Sequence, residues 1–294
     1  MGIPYSAEKD DLYYPAKHAV FFPNDRPQSD AALCVEMARL AYSQLDTSFA
    51  FDQDRIRKVL GRIKFTDCKF FETATEPDGG GSHAFLALDG KNKLAVLAFR
   101  GTDKNDPSDL IDDFNALPRP WPAGGNVHSG FAKALLDVWQ GVDAALQPIG
   151  DYRLLFTGHS LGAAMATLAS SLQKPTSLYT FGSPRVGDQA FVNLLQGVDN
   201  HRYVDCSDLI ARVPPEEIMG LKYYAHLPGN LYYIDGARAV RQRDPKDPYI
   251  GTDQTKAEED YLKKYAWRIG DVALRPLADH APVNYVWPVT AATP

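Results

Sequence analysis

The chain has 294 residues, of which 45% are hydrophobic and 23% charged, with a formal net charge of −6. That length and balance suit one large globular domain or two small ones, with a sizeable core. The acidic balance and the lack of any Lys/Arg cluster argue against a nucleic-acid binder, and no apolar run reaches the ~18–20 residues that span a bilayer.

The first ten residues are polar and acidic, without the basic start and apolar core of a secretory signal. The expectation is a cytoplasmic protein, or a secreted one whose signal has been removed. The three cysteines, Cys34, Cys68 and Cys206, cannot all pair with one another and read as small buried residues. That usage favours a reducing compartment. No Cys/His spacing suggests a metal, and no cofactor is expected.

Residues up to about 27 are polar and rich in turn formers and are expected on the surface. Ser29-Asp30 then caps an apolar-periodic stretch, 31–45, with Leu33, Met37, Leu40 and Ala41 on one helical face. A shorter helix is expected at 53–60. Residues 65–76 and 83–88 read as paired strands around Asp78-Gly79-Gly80-Gly81. Residues 94–99 form an unbroken apolar run, the mark of a strand buried on both faces.

Residues 130–146 carry a helical stripe of Phe131, Leu135, Val138 and Val142. Strands are expected at 153–156, 177–181, 201–204 and 231–234, the last at an edge, with helices after the first and second. The segment 236–270 differs in character. It holds Asp244-Pro245-Lys246-Asp247-Pro248 and a charged helix-like run at 255–267, and reads as a solvated surface insertion. Buried strands alternating with helices point to a mostly parallel α/β sheet flanked by helices.

The chemistry concentrates at Gly158-His159-Ser160-Leu161-Gly162, between an apolar strand and a run of helix formers. A Gly-x-Ser-x-Gly in that setting is a nucleophile elbow: the serine stands on a tight turn, and the helix start directs N–H groups at developing negative charge. A serine hydroxyl needs a base, which in turn needs an orienting carboxylate, and the chain order is Ser, acid, His. Three histidines follow Ser160. His201 precedes the best acid, His226 sits among aromatics and reads as structural, and His280 lies in a late loop where the base belongs. Asp208 is the preferred acid and Asp205 the second candidate. Two donors must stabilise the oxyanion: the backbone N–H of Leu161, and Thr102 at the end of the 94–99 strand. His128 and His159 are expected to pack loops, and Arg185 and Asp188 to organise the turn after the 177–181 strand.

These pieces together resemble the class 3 lipases, the fungal triacylglycerol lipase-like branch of the α/β-hydrolases. The stretches that carry the resemblance are Ala98-Phe99-Arg100-Gly101-Thr102, Val127-His128-Ser129-Gly130-Phe131, the Ser160 elbow and Thr180-Phe181-Gly182-Ser183-Pro184-Arg185-Val186-Gly187. Two more follow in the family's order, Asp208-Leu209-Ile210-Ala211-Arg212-Val213-Pro214-Pro215 and Asp279-His280. The chain departs from the family pattern at Ala163, usually glycine, at Ala211, usually proline, and in its longer stretch before His280. The resemblance implies a single α/β-hydrolase domain over 1–294 and a Ser160–Asp208–His280 triad, with Thr102 and Leu161 at the oxyanion hole. It also implies a lid at about 103–122, containing Leu110, Ile111, Phe114, Leu117 and Trp121. The function implied is lipase hydrolysis of acylglycerol or similar lipid esters, at a lipid–water interface. A phospholipase A1 or feruloyl-type esterase is the alternative, and a catalytically silent binding module is the alternative from another class.

Overall fold

The computed structural model describes residues 2–18, 20–23, 25–45, 48–73, 81–102, 117–218 and 221–292. The strands, in chain order, are β1 (Asp67–Glu72), β2 (His83–Asp89), β3 (Leu94–Phe99), β4 (Pro118–Pro120), β5 (Asn126–His128) and β6 (Arg153–His159). Then come β7 (Ser177–Phe181), β8 (Asp199–Asp205), β9 (Glu217–Ile218), β10 (Leu221–Lys222), β11 (Asn230–Ile234) and β12 (Val240–Arg243). The helices are α1 (Lys9–Tyr13), α2 (Asp30–Leu40), α3 (Gln53–Arg62), α4 (Ser129–Leu146), α5 (Leu161–Leu172), α6 (Gln189–Leu194), α7 (Pro248–Lys264), α8 (Arg275–Ala278) and α9 (Pro282–Ala291).

Eight strands form the main sheet in the order β1-β2-β3-β6-β7-β8-β11-β12. The central five, β3 to β11, run parallel, and β1, β2 and β12 are antiparallel. All six residues of β3 are buried. Alternation then divides them between two cores. Leu94, Val96 and Ala98 join Leu33, Met37 and Leu40 of α2 and Tyr285 of α9. Ala95, Leu97 and Phe99 join Phe131 and Leu135 of α4 and Met165 and Leu168 of α5. The apolar runs in the sequence are continuous because both faces of these strands are covered by helices.

Three segments differ from the sequence expectation. Residues up to 27 do not simply lie on the surface: Ala7, Asp11, Phe21 and Phe22 are buried. Their apolar atoms fill a gap beside α2 and α7 that no regular period announces. β11 is not at the edge, because β12 pairs antiparallel outside it. The charged helix begins at Pro248, capped by Asp247 accepting from Tyr249 N, and buries Ala257 and Tyr261. The segment 236–270 thus contributes an edge strand and a packed helix. The glycine-rich hairpin tip at 74–80 and the expected lid over 103–116 lie outside the described residues. At the described end of the lid segment, Leu117 is exposed, while Trp121 is buried and donates to Ser171 Oγ at 2.8 Å.

Asp188 ties two parts of the fold together. Its Oδ1 accepts from Phe191 N at 2.9 Å and caps α6, while its Oδ2 accepts from Asn126 N and Nδ2 at 3.0 and 2.8 Å. Burial works against its ionisation, yet the hydrogen bonds from Phe191, Asn126 and Ala190 hold the carboxyl below the ordinary aspartate value. Asp188→Ala is expected to destabilise by about 1 kcal/mol at neutral pH, read by urea unfolding. A depressed folded value means stabilisation that is present above the unfolded value, near ~4, and lost as pH falls through the folded one. The gap between wild type and variant therefore closes in acid.

Candidate active site

Ser160 is the single residue between the end of β6 and the start of α5, at φ 58° and ψ −126°. A non-glycine residue there is strained, and such strain persists only where the surroundings over-determine it. The surroundings are tight. A β-carbon on Gly158 would lie 2.2 Å from the carbonyl carbon of Gly162. One on Gly162 would lie 2.2 Å from the carbonyl oxygen of Phe99. The two arms of the turn touch each other, and the helix start touches the end of β3. Leu161, as the first residue of α5, has an N–H with no carbonyl one helical turn earlier to accept it.

Asp208 and His280 come from loops after β8 and α8 and are 1% and 3% exposed. His280 Nδ1 lies 2.9 and 3.0 Å from the two Asp208 carboxylate oxygens. Asp208 Oδ1 also accepts from Ile210 N at 2.8 Å, and Oδ2 accepts from the Tyr285 hydroxyl. Tyr285 in turn accepts from Asp205 N at 3.0 Å. Burial and the charges of Asp208 and Asp205 push the Tyr285 phenol well up, so it stays protonated and donates. A carboxylate on Nδ1 sets the tautomer: the proton sits on Nδ1 and the lone pair on Nε2.

Ser160 Oγ and His280 Nε2 are both buried, and neither hydrogen bonds to a described residue. Both residues line one cavity of about 30 Å³, together with Thr102, Tyr42 and His159. Its apolar wall is Leu12, Tyr13, Ile210, Leu277 and Pro282.

Three buried supports hold the His280 loop. First, His159 Nε2 donates to the His280 carbonyl at 2.9 Å and its Nδ1 accepts from the Tyr42 hydroxyl at 2.8 Å. The two imidazole rings are 4.4 Å apart. Burial and the neighbouring His280 keep the His159 pKa well below the ordinary histidine value, so it stays neutral. Second, Asp279 accepts from Tyr5 at 2.8 Å, from Ser207 N at 2.9 Å and from Arg275 Nε at 3.0 Å. Third, Arg238 donates to the Asn284 carbonyl and binds Asp205 through Nη1 at 2.7 and 2.8 Å, so Asp205 pairs with Arg238 and not with His280.

His201 stacks on Tyr179 and pairs with Asp199. His226 donates through Nε2 to Ala211 O at 2.8 Å. His128 stacks on Phe131 and caps α4. Arg185 donates to Pro214 O at 2.9 Å and to Arg212 O. A larger cavity of about 540 Å³ lies between α2 and α9. Its charged pair is internally satisfied, Arg39 donating to Glu36 and to the carbonyls of Pro15, His18 and Val20. Among the described residues no group of three His, Cys, Asp or Glu side chains could hold a metal ion.

Sequence reasoning missed Tyr42, Tyr285 and Tyr5. None stands in a motif, and Tyr42 and Tyr5 reach the site from segments distant in the chain. One signal was available for Tyr285: an aromatic five residues after His280 in an otherwise apolar stretch.

Residues 96–218 match the family model for class 3 lipases. That segment contains Thr102, Ser160 and Asp208 but not His280. Over 168 residues the chain is 34% identical to secreted mono- and diacylglycerol lipase 1 of Fusarium solani, covering 53% of this chain and 48% of that protein. The chain spans about half or less of the curated relatives it matches, 38% to 51% of their lengths. Lipase II from Rhizopus niveus superposes with a TM-score of 0.52 at 27% identity, over 66% of this chain and 76% of that one. A triacylglycerol lipase whose catalytic centre is described as a serine protease triad gives 0.50 at 25% identity, over 62% and 75%. The shared architecture is the α/β-hydrolase fold.

The elbow's contacts make a paired stability prediction. Gly162→Ala forces a β-carbon against Phe99 and is expected to destabilise by at least ~1–3 kcal/mol. Gly251→Ala, inside α7 with nothing within 4 Å of the added carbon, is expected to stabilise by ~0.5–1 kcal/mol. Thermal unfolding of both variants beside wild type reads the opposite signs.

Proposed function

We propose that this chain, a member of the class 3 lipase family, is a serine hydrolase that cleaves acylglycerol or similar lipid esters through an acyl-enzyme. One observation carries the reading. A serine hydroxyl and a histidine Nε2 are buried in one cavity with no hydrogen bond to a described residue, while a buried aspartate holds that histidine's other nitrogen. Buried polar atoms left without partners are costly and mark groups that act on something else. A silent binding module has no use for this arrangement.

Ser160 Oγ attacks the ester carbonyl carbon as His280 Nε2 takes the hydroxyl proton. Asp208 keeps the imidazole oriented and stabilises its charged form. The tetrahedral oxyanion accepts from the N–H of Leu161 and from Thr102. Collapse breaks the bond to the alcohol, which leaves with the proton from His280. Water, deprotonated by the same nitrogen, then attacks the acyl carbonyl, releases the carboxylic acid and restores Ser160.

The wall beside Ser160 is apolar, as the carbons next to an ester carbonyl require, and the Fusarium relative is described as a mono- and diacylglycerol lipase. Exposed apolar side chains in the turn that precedes α8 suit a lipid surface. Trp267 is 88% and Ile269 106% exposed, and Leu274 is three residues before the cavity-lining Leu277. Gly270 in this turn accepts from Lys9 N at 2.9 Å, which ties it to the helix carrying Leu12 and Tyr13. Trp and aliphatic side chains in such a position favour the interface between lipid and water.

Ser160→Ala is expected to lower ester turnover by ~10⁴–10⁶ without unfolding the protein, and to abolish labelling by a fluorophosphonate. Retained turnover in the folded variant would overturn the assignment. Tyr285→Phe removes a hydrogen bond to a charged acceptor worth ~1.5–3 kcal/mol. It should lower kcat by about 10–150-fold with little change in KM, read on a soluble p-nitrophenyl ester. Trp267→Ser with Ile269→Ser is expected to keep turnover of that soluble ester and lose turnover of emulsified triolein. Equal retention on both substrates would exclude the tip as a lipid contact.

A further inference from the structure

On the α5 face of the sheet, away from Ser160, Arg202 is 8% exposed and makes no hydrogen bond or ion pair with a described residue. This is unusual among the buried cations of this chain. Arg39, Arg238 and Arg275 each hold a carboxylate. Burying an unpaired guanidinium costs several kcal/mol, and that cost is normally offset by a counter-charge.

The space around Arg202 is a small polar cavity of about 10 Å³, room for one occupant the size of a water molecule. Strand register builds it. Thr180 of β7 is the parallel partner of Arg202 in β8, and Asn200 stands two residues before Arg202 on the same face. Thr180 and Asn200 are 2% and 4% exposed. Helix α5 contributes Thr167, and the loops contribute Ser183 and His226. The Thr167 and Ser183 hydroxyls already donate to Ala163 O and Pro184 O. Asn200 gives one amide proton to Pro228 O at 3.3 Å. Its second amide proton, the Thr180 hydroxyl and the Arg202 guanidinium remain as donors.

The field in the cavity is positive. Burial, then the charge of Arg185, bring Arg202 down to about 10, so it is still charged at neutral pH. Burial and the same two arginines hold His226 well below the ordinary histidine value, so it adds no charge of its own.

We infer that this cavity is a binding site for a monoatomic halide, chloride in cells, held by Arg202, Thr180 and Asn200. Phosphate, sulfate and carboxylates are excluded by size. The site also has a lever on the triad. It shares the short segment Thr180–Ser183 with Gly182, where an added β-carbon would lie 2.7 Å from Asp208 Oδ2 and 3.0 Å from His280 Nδ1. The halide therefore braces the strand end against which the acid and base rest.

The direct test is diffraction from wild-type crystals grown in sodium bromide. An anomalous peak within hydrogen-bond distance of Arg202, Thr180 and Asn200 supports the site, and a water there, with no anomalous signal, overturns it. In solution, exchanging sodium gluconate for sodium chloride at constant ionic strength is expected to raise the wild-type Tm by a few degrees. In Arg202→Leu that chloride-specific rise is expected to vanish, and in gluconate the variant should be at least as stable as wild type. An equal rise in both proteins would overturn the inference. Should the variant not fold, the bromide experiment decides alone.

Discussion

The contact between the start of α5 and the end of β3 is the constraint on which the site depends. Gly162 has room for a hydrogen but not a methyl against the Phe99 carbonyl. That closeness brings a helix N-terminus and a strand end together at one point. Thr102 lines the same cavity as Ser160, Leu161 follows Ser160 as the first residue of α5, and the turn holds Ser160 at a positive φ. Removing the strain would need a wider turn, and a wider turn would move Ser160 away from the end of β3. Strain at one residue and the convergence of the site are therefore one fact.

Around that point the protein uses buried polar chains rather than surface charge. His280 is held through its side chain by Asp208, through its carbonyl by His159, and through its neighbour Asp279 by Tyr5 and Arg275. A buried carboxylate is expensive unless its oxygens are filled. Asp208 and Asp279 are filled by backbone N–H groups, phenols and cations. Among the described residues, Ser160 Oγ and His280 Nε2 have no hydrogen-bond partner in the midst of these filled groups. The residues upstream of α2 and those of α7 serve this arrangement, packing Ala7 and Tyr261 beneath the loop that carries His280.

Much of the fold was legible in the chain because local patterns carried it. The buried runs of β3 and β7, the stripe on α4 and the Ser29 cap of α2 each encode one element with its own residues. β12 was not legible, since Val240-Arg241-Gln242-Arg243 has no alternation and pairs only because β11 offers an edge. Helix α9 was hidden by Pro282 and Pro288, of which the first is tolerated at the helix start and the second interrupts the period. The burial of Phe21 and Phe22 depends on a gap between other elements, which no window of sequence contains.

By itself the sequence determined the elbow, because a glycine, a serine and a glycine at that spacing between a strand and a helix have a shape that local sterics dictate. It also narrowed the candidates for acid and base, since chain order limits which aspartate and histidine can follow the strands. The tertiary structure alone decided which carboxylate faces His280, placing Asp208 on its Nδ1 and Asp205 on Arg238. It alone brought Tyr42, Tyr285 and Tyr5 to the site and left Arg202 without a partner among the described residues. The reason is reach. Hydrogen bonds between side chains 77 to 274 residues apart are set by how the sheet and its helices close in space. No local preference of the chain encodes that closure.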